Sequence, residues 1–223
     1  RIGRADIALL SPDGFFREAL AVDLRRDKET VVAPLVVTRG NVSLPDGTRM
    51  ARNVQVLGVD ERFWKLAPNP DAAPDLSKDE FFVNARLGSY LAAKNGDRLI
   101  RRVEEPGLFS RDAPLSGERD NKFVSLNKKL GGVLEAEAFG RFGLQGNQRE
   151  PLTIFVPMEM LQKRMFRSFD EESGNTGFAN FLLLGRPGGD AGQLELAESA
   201  LNEAWSLADG GILVKELRDT PAW

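Results

Sequence analysis

The 223-residue chain has no cysteine and no histidine, and a single tyrosine, Tyr90. Without cysteine there can be no disulfide, thiol nucleophile, or Cys-based zinc or iron–sulfur site. Zero cysteine is compatible with the cytosol and with an oxidising exterior alike. Without histidine, Ser-His-Asp catalysis, HExxH metal sites and imidazole acid–base chemistry cannot arise within the chain. Any catalysis would rest on carboxylates, lysines, Tyr90 or Ser/Thr. Charge of one sign is also missing. Thirty Lys+Arg against 33 Asp+Glu leave a net charge of −3, which excludes a strongly basic nucleic-acid footprint. No stretch approaches the roughly 20 apolar residues that span a bilayer.

What is present is ordinary globular composition, with 42% hydrophobic and 28% charged residues. The length suits one large domain or two small ones. The chain opens on "RIGRADIALL" and closes on "TPAW", and reads as a segment of something longer.

Local patterns predict the elements. "ADIALL" (Ala5–Leu10) reads as a strand. "SPDGFFREALAVDL" reads as a helix, with Ser11 as N-cap, Pro12 at its first position, and Phe16, Leu20 and Leu24 at helical spacing. "VVAPLVVTRGNVSL" is a strand region in which Pro34 suggests an edge or bulge. "PDGT" (Pro45–Thr48) turns it into a hairpin with "ARNVQVLGVD". "APNPDAAPDLSKDE", rich in proline, is the best boundary candidate. "FFVN" is then a strand whose Asn84 caps the helix "ARLGSYLAAK". "NGD" makes a turn, "RLIRRVEE" a strand, and "PGLFSRDAPLSGERDN" a loop. "KFVSLNKKLGGVLEAEA" alternates weakly. "LTIFVPMEMLQKRMF" reads as a strand, a Pro157 start and a helix. "GFANFLLLGR" is a buried strand. A helix follows, with Asp190 and Gln193 at capping-box spacing and a stripe of Leu194, Ala197, Leu201, Trp205 and Ala208. "ILVKEL" closes as a strand.

Few stretches suggest chemistry. Gly140-Arg-Phe-Gly143-Leu-Gln-Gly146 has neither dinucleotide spacing nor a Lys-Ser/Thr ending, so it is not a phosphate loop. Its Phe139, Phe142 and Leu144 either tuck inward or form an exposed apolar tip, a candidate partner contact. Asp170–Glu172 and Asp75–Glu80 lack the calcium-loop pattern and read as solvated acidic loops. A carboxylate-pair glycan hydrolase requires two acids at a defined separation, which a sequence alone does not specify. Lys128–Lys129 and Arg101–Arg102 read as outward positions at strand edges. In "NVQVLGVDERFWKL" a strand runs across "GVD" into Phe63 and Trp64, either a core plug or a binding surface. No catalytic residue, cofactor or metal is expected.

Five stretches occur in an order that carries more than periodicity: "GRADIALLSPDGFFREAL", "VLGVDERFWKL", "FFVNARLGSYLAAKNGDRLIRRVEEP", "TIFVPMEMLQ" and "ANFLLL". Together they resemble the large extracytoplasmic domain of FtsX-like/MacB-type ABC transporter permeases. The matching positions are Gly58–Trp64, Asn84–Asp97, Phe155–Gln162 and Ala179–Leu183. The sequence departs at Gly88-Ser89, where the family usually has Leu-Ala.

The resemblance implies an α+β fold of two subdomains. A discontinuous, membrane-proximal, porter-like β-α-β subdomain would comprise 1–66 plus 176–223. A mixed α/β membrane-distal subdomain would be inserted at 76–175, across a Pro-rich boundary at 67–75. Phe63 and Trp64 would then be a structural plug, and Arg1 and Trp223 would lie on one side of the fold. The implied role is non-catalytic: transmitting ATP-driven transmembrane movement to an extracytoplasmic substrate or partner in efflux, lipoprotein handling or a cell-envelope process. The implied partners are flanking transmembrane helices of the same chain, an ABC ATPase subunit, a second permease copy, and an adaptor or substrate protein. The implied location is the extracytoplasmic (periplasmic) face of the cytoplasmic membrane. A freestanding binding or scaffold protein, or a carboxylate-based glycan hydrolase, are the alternatives.

Overall fold

The computed structural model describes residues 3–11, 14–75, 79–104, 123–143, 150–166, 177–185, 193–206 and 209. In chain order the strands are β1 (Ile7–Leu10), β2 (Phe16–Arg17), β3 (Val31–Ser43), β4 (Met50–Val59), β5 (Phe81–Asn84), β6 (Arg98–Glu104), β7 (Phe123–Leu134), β8 (Thr153–Pro157), β9 (Phe178–Ala179) and β10 (Phe181–Gly185). The helices are α1 (Leu20–Asp23), α2 (Glu61–Lys65), α3 (Ala85–Leu91), α4 (Met158–Met165) and α5 (Gln193–Ala204). The fold class is mixed α and β, built on one large central sheet.

That sheet has eight strands in the order β1-β10-β3-β4-β8-β5-β7-β6, and β3 also pairs with β6. The second pairing, Gly40↔Val103 through Ser43↔Ile100, closes β3, β4, β8, β5, β7 and β6 into a ring. Only β4–β8 and β5–β7 run parallel among the described pairs. Side chains alternate across the sheet, so it carries two cores. One face gathers Val36, Val54, Val56, Ile154, Leu182 and Leu130 with α1, α3 and α4. The other gathers Leu35, Leu57, Phe155 and Leu183 under α2 and the 134–142 segment.

The most local signals give the elements they predict. Asn84 caps α3 by accepting from Leu87 N at 3.0 Å, and α4 begins directly after Pro157. The Gly88 position, unusual against the resembled pattern, has a steric role: a Cβ there would lie 3.2 Å from Val133 Cγ2. Gly58 is tighter, since a Cβ would meet Leu161 Cδ2 at 2.8 Å and Val36 Cβ at 3.2 Å. Helix α4 therefore sits directly on β4. The bulge in β4 falls at Asn53, whose φ of 55° suits asparagine, and the register with β3 shifts between Gly40 and Val42.

Other expectations are corrected. The segment expected as one helix over 11–24 forms β2 and then only the four-residue α1. Phe16 pairs with Ala179, and Glu18 N donates to Gly177 O at 2.8 Å. Phe16, Leu20 and Leu24 are all buried as their spacing suggests, but a strand pairing outcompetes helix propensity at the first of them. The α5 stripe is also shifted. Ala200 is buried, with Ala197, Leu201 and Ala204 packed beside it, whereas Trp205 stays 43% exposed. Pro34 does keep its expected edge character: it pairs with Leu182 of β10 alone, since β4 begins pairing with β3 only at Val36. Lys128 shares a face with Leu126 and Leu130 and pairs with Asp79, while Lys129 points outward and is exposed. The Ile212–Leu217 strand, the Asp190 cap, Asp170–Glu172 and the relative placement of Arg1 and Trp223 lie outside the described residues.

Asn180 shows how the sheet is kept continuous between β9 and β10. Its Oδ1 accepts from Val37 N at 2.7 Å and its Nδ2 donates to Val37 O at 2.8 Å, so one side chain completes the ladder. Asn180→Ala orphans both groups and is expected to cost about 1–3 kcal/mol, read as a lower urea midpoint. Asn180→Asp keeps the acceptor alone and should fall between the two.

Candidate functional site

The proposed apolar tip is resolved by burial. Phe139 and Phe142 are each 1% exposed and belong to the core, so neither forms an exposed contact. Leu144 lies outside the described residues. Phe139 adopts φ 59°, which turns its ring inward to stack on Phe63 with centroids 4.5 Å apart. Phe142 meets Phe63 edge-on at 5.2 Å, and Trp64 does so at 4.9 Å. Phe63 and Trp64 are thus a core plug, 0% and 3% exposed. Gly140 does not offer a phosphate cradle, because its amide donates to Glu135 O at 2.7 Å.

The polar counterpart of this cluster lies where β4 and β8 end side by side. Asp60 follows β4 and caps α2 by accepting from Arg62 N at 2.8 Å. Its other oxygen accepts from Arg62 Nε at 2.7 Å. The same guanidinium pairs with Glu18, which stands between β2 and α1. Glu18 also accepts from Gln162 Nε2 at 3.0 Å, and that amide donates to Phe178 O at 2.9 Å. Gln162 is 5% exposed. Beside the network a cleft of about 440 Å³ is lined by Glu18, Asp60, Met158, Glu159, Gln162, Lys163 and Gly177.

Burial opposes charge on Arg62, but its hydrogen bonds and Coulomb attraction to Asp60 and Glu18 outweigh that, and its pKa is raised. Arg17 behaves alike: burial lowers its pKa, while Asp23 and Asp209 raise it by more. Arg17 Nε donates to Asp209 at 3.0 Å and Nη2 to Ala204 O at 2.8 Å, tying β2 to the end of α5.

Chemically, the cleft is a charge-compensated tether. Glu18 and Asp60 are both held by Arg62, and Glu159 pairs with Lys163 at 2.5 Å. Among the described residues no group of three or more Asp or Glu forms a metal-type cluster. No described helix is long and apolar enough to cross a membrane. Arg62→Met leaves two part-buried carboxylates without their cation, an expected loss of about 1–3 kcal/mol in urea titrations. In a double-mutant cycle with Glu18→Gln, the second loss should be much smaller than in the parent background.

Sequence reasoning did not single out Glu18, Arg62 or Gln162 as a unit. The available signal was that each sits inside one of the ordered motifs quoted above.

No family model matches the chain, and no curated protein matches it by sequence. Among solved structures it is similar to the periplasmic region of MacB from Actinobacillus actinomycetemcomitans, at 9% sequence identity. The similarity covers 88% of this chain and 76% of that one, with a TM-score of 0.45.

Proposed function

We propose that the chain is an extracytoplasmic domain of an ABC transporter permease of the FtsX-like/MacB type. It acts without catalysis, passing ATP-driven movement of transmembrane helices to an extracytoplasmic substrate or partner. In this reading 1–66 plus 176–223 form the membrane-proximal part, 76–175 the inserted distal part, and 67–75 the boundary. The observation that carries the proposal is the meeting of the ordered motifs. Glu18, Asp60–Arg62 and Gln162 come from three of those stretches and join one hydrogen-bonded network, which also takes in the carbonyl of Phe178, next to a fourth.

The network and the parallel β4–β8 pairing link the two parts, since β4 belongs to the first and β8 and Gln162 to the second. A displacement applied to one part is then carried through backbone hydrogen bonds to the other. The moving partners are transmembrane helices flanking this segment, driven by an ATPase subunit. An adaptor, a substrate protein or a second permease copy would receive the motion.

The test is the parent reading frame. Apolar runs of about 20 residues on both sides of the segment, next to an ATP-binding-cassette gene, are the expected result. Reporter fusions should then place the segment outside the cytoplasmic membrane. A secretion signal immediately upstream with a stop soon downstream would overturn the proposal in favour of a freestanding protein.

A further inference from the structure

One face of the sheet is treated differently along its length. Toward Leu57 and Val59 it lies under the aromatic cluster, and toward the β3–β4 hairpin no described residue forms a layer over it. The exposed side chains on that part include Arg39 on β3, Arg52 on β4, Arg98 on β6 and Lys129 on β7. Between them stand Asn53, Ser125 and Asn127, with Met50 and the part-buried Asn41 and Ile100. The Glu80 carboxylate lies over Gly131 at the β5 side of β7, and among the described residues no ion pair involves the four cations. Flanking acids are engaged locally: Asp46 accepts from Thr48 N at 3.0 Å, and Asp97 from Lys94 N at 2.8 Å. Arg98 and Lys129 stand directly opposite each other in the antiparallel register. A like-charge pair at that position costs stability. A chain of net charge −3 thus concentrates cations on this face, with two of them in register. Arg39 donates from Nη1 to Asn53 Oδ1 at 2.8 Å, whereas no ion pair among the described residues engages Arg52, Arg98 or Lys129.

We propose that this face docks an acidic, extended segment of a partner polypeptide. Strands β4, β3, β6 and β7 are successive walls of the closed ring, so the face is convex. A planar anionic bilayer touches such a surface along one wall, whereas a flexible chain follows it across several. The net negative charge of the whole chain also weakens attraction to an anionic plane. Arg98 and Arg39 stand about six residues apart along the strands, roughly 20 Å, a span that an extended segment bridges. The interleaved amides and hydroxyl supply donors and acceptors for its backbone. The proposal does not depend on the transporter reading.

The test titrates a labelled oligo-glutamate peptide of about ten residues, roughly 33 Å extended, into the whole chain and follows fluorescence anisotropy. Saturable binding is expected, weakening about tenfold between about 50 and about 500 mM salt. Arg98→Glu with Lys129→Glu should weaken it at least about tenfold, while Arg26→Glu, which alters the Arg26–Glu203 pair elsewhere, leaves it unchanged. Lys129→Thr separates binding from folding, since it should raise the urea midpoint while weakening the peptide complex. Absence of saturable binding, equal binding by the charge-reversed variant, or binding to phosphatidylglycerol vesicles but not to the peptide would each overturn the proposal.

Discussion

Phe63→Ala is expected to lower the stability of the chain by about 3–5 kcal/mol, which for a domain of this size lowers Tm by about 2–4 °C per kcal/mol. Phe63 is 0% exposed and its ring touches four others. Truncation removes the transfer energy of a whole ring. It also leaves a void among Trp64, Phe139, Phe142 and Phe155, whose backbones belong to different elements and cannot all close in. Phe63→Leu keeps most of the volume and should cost well under half as much. Thermal unfolding and urea titration of both variants check the ranking. Equal losses in the two would mean that the aromatic geometry, and not the filled volume, holds the cluster.

The second large effect is expected at Asn84, a 1% exposed side chain with three hydrogen bonds. Its Oδ1 accepts from Leu87 N at 3.0 Å and Thr153 N at 3.2 Å, and its Nδ2 donates to Pro151 O at 2.8 Å. It therefore caps α3 and fastens the start of β8 with one amide. Asn84→Ala loses a cap worth about 1 kcal/mol and strands buried backbone groups, each costing about 1–3 kcal/mol. The total is expected near 3–4 kcal/mol. Asn84→Asp keeps the acceptor but places a carboxylate against the Pro151 carbonyl, and should remain clearly destabilised. Hydrogen exchange localises the change: Leu87 and Thr153 amides should lose protection first. Unchanged protection at Thr153 in Asn84→Ala would mean that β8 is held by its neighbours alone.

These two residues bracket what could be read ahead of the fold. Asn84 was legible because a cap is a relation between residues three apart, and "FFVN" followed by a helical pattern states it directly. The Phe63–Trp64 pair was legible only as a choice between plug and surface. The cap, the hairpin at Pro45–Thr48, the Pro157 helix start and the buried runs of β8 and β10 all rest on signals of the same short reach. Where the strand signal was weaker than a competing helical spacing, as at Phe16, the expectation failed. The periodicity identified the buried positions but left the backbone conformation open.

The candidate site was less legible. Arg62 and Glu18 are 44 residues apart, and Gln162 lies 144 from Glu18, so no local pattern relates them. Their motifs were visible in order along the chain, and their meeting was not.

By itself the sequence determined the chemistry closed to this protein, the helix and strand starts set by caps and turns, and the residues to be withdrawn from water. The tertiary structure decided which surfaces meet. It turned Phe139 and Phe142 inward, closed β3 onto β6, and brought Glu18, Arg62 and Gln162 within hydrogen-bonding distance. The physical reason is range: caps and turns are settled within a few residues, while the burial of a side chain depends on which distant segment arrives to cover it.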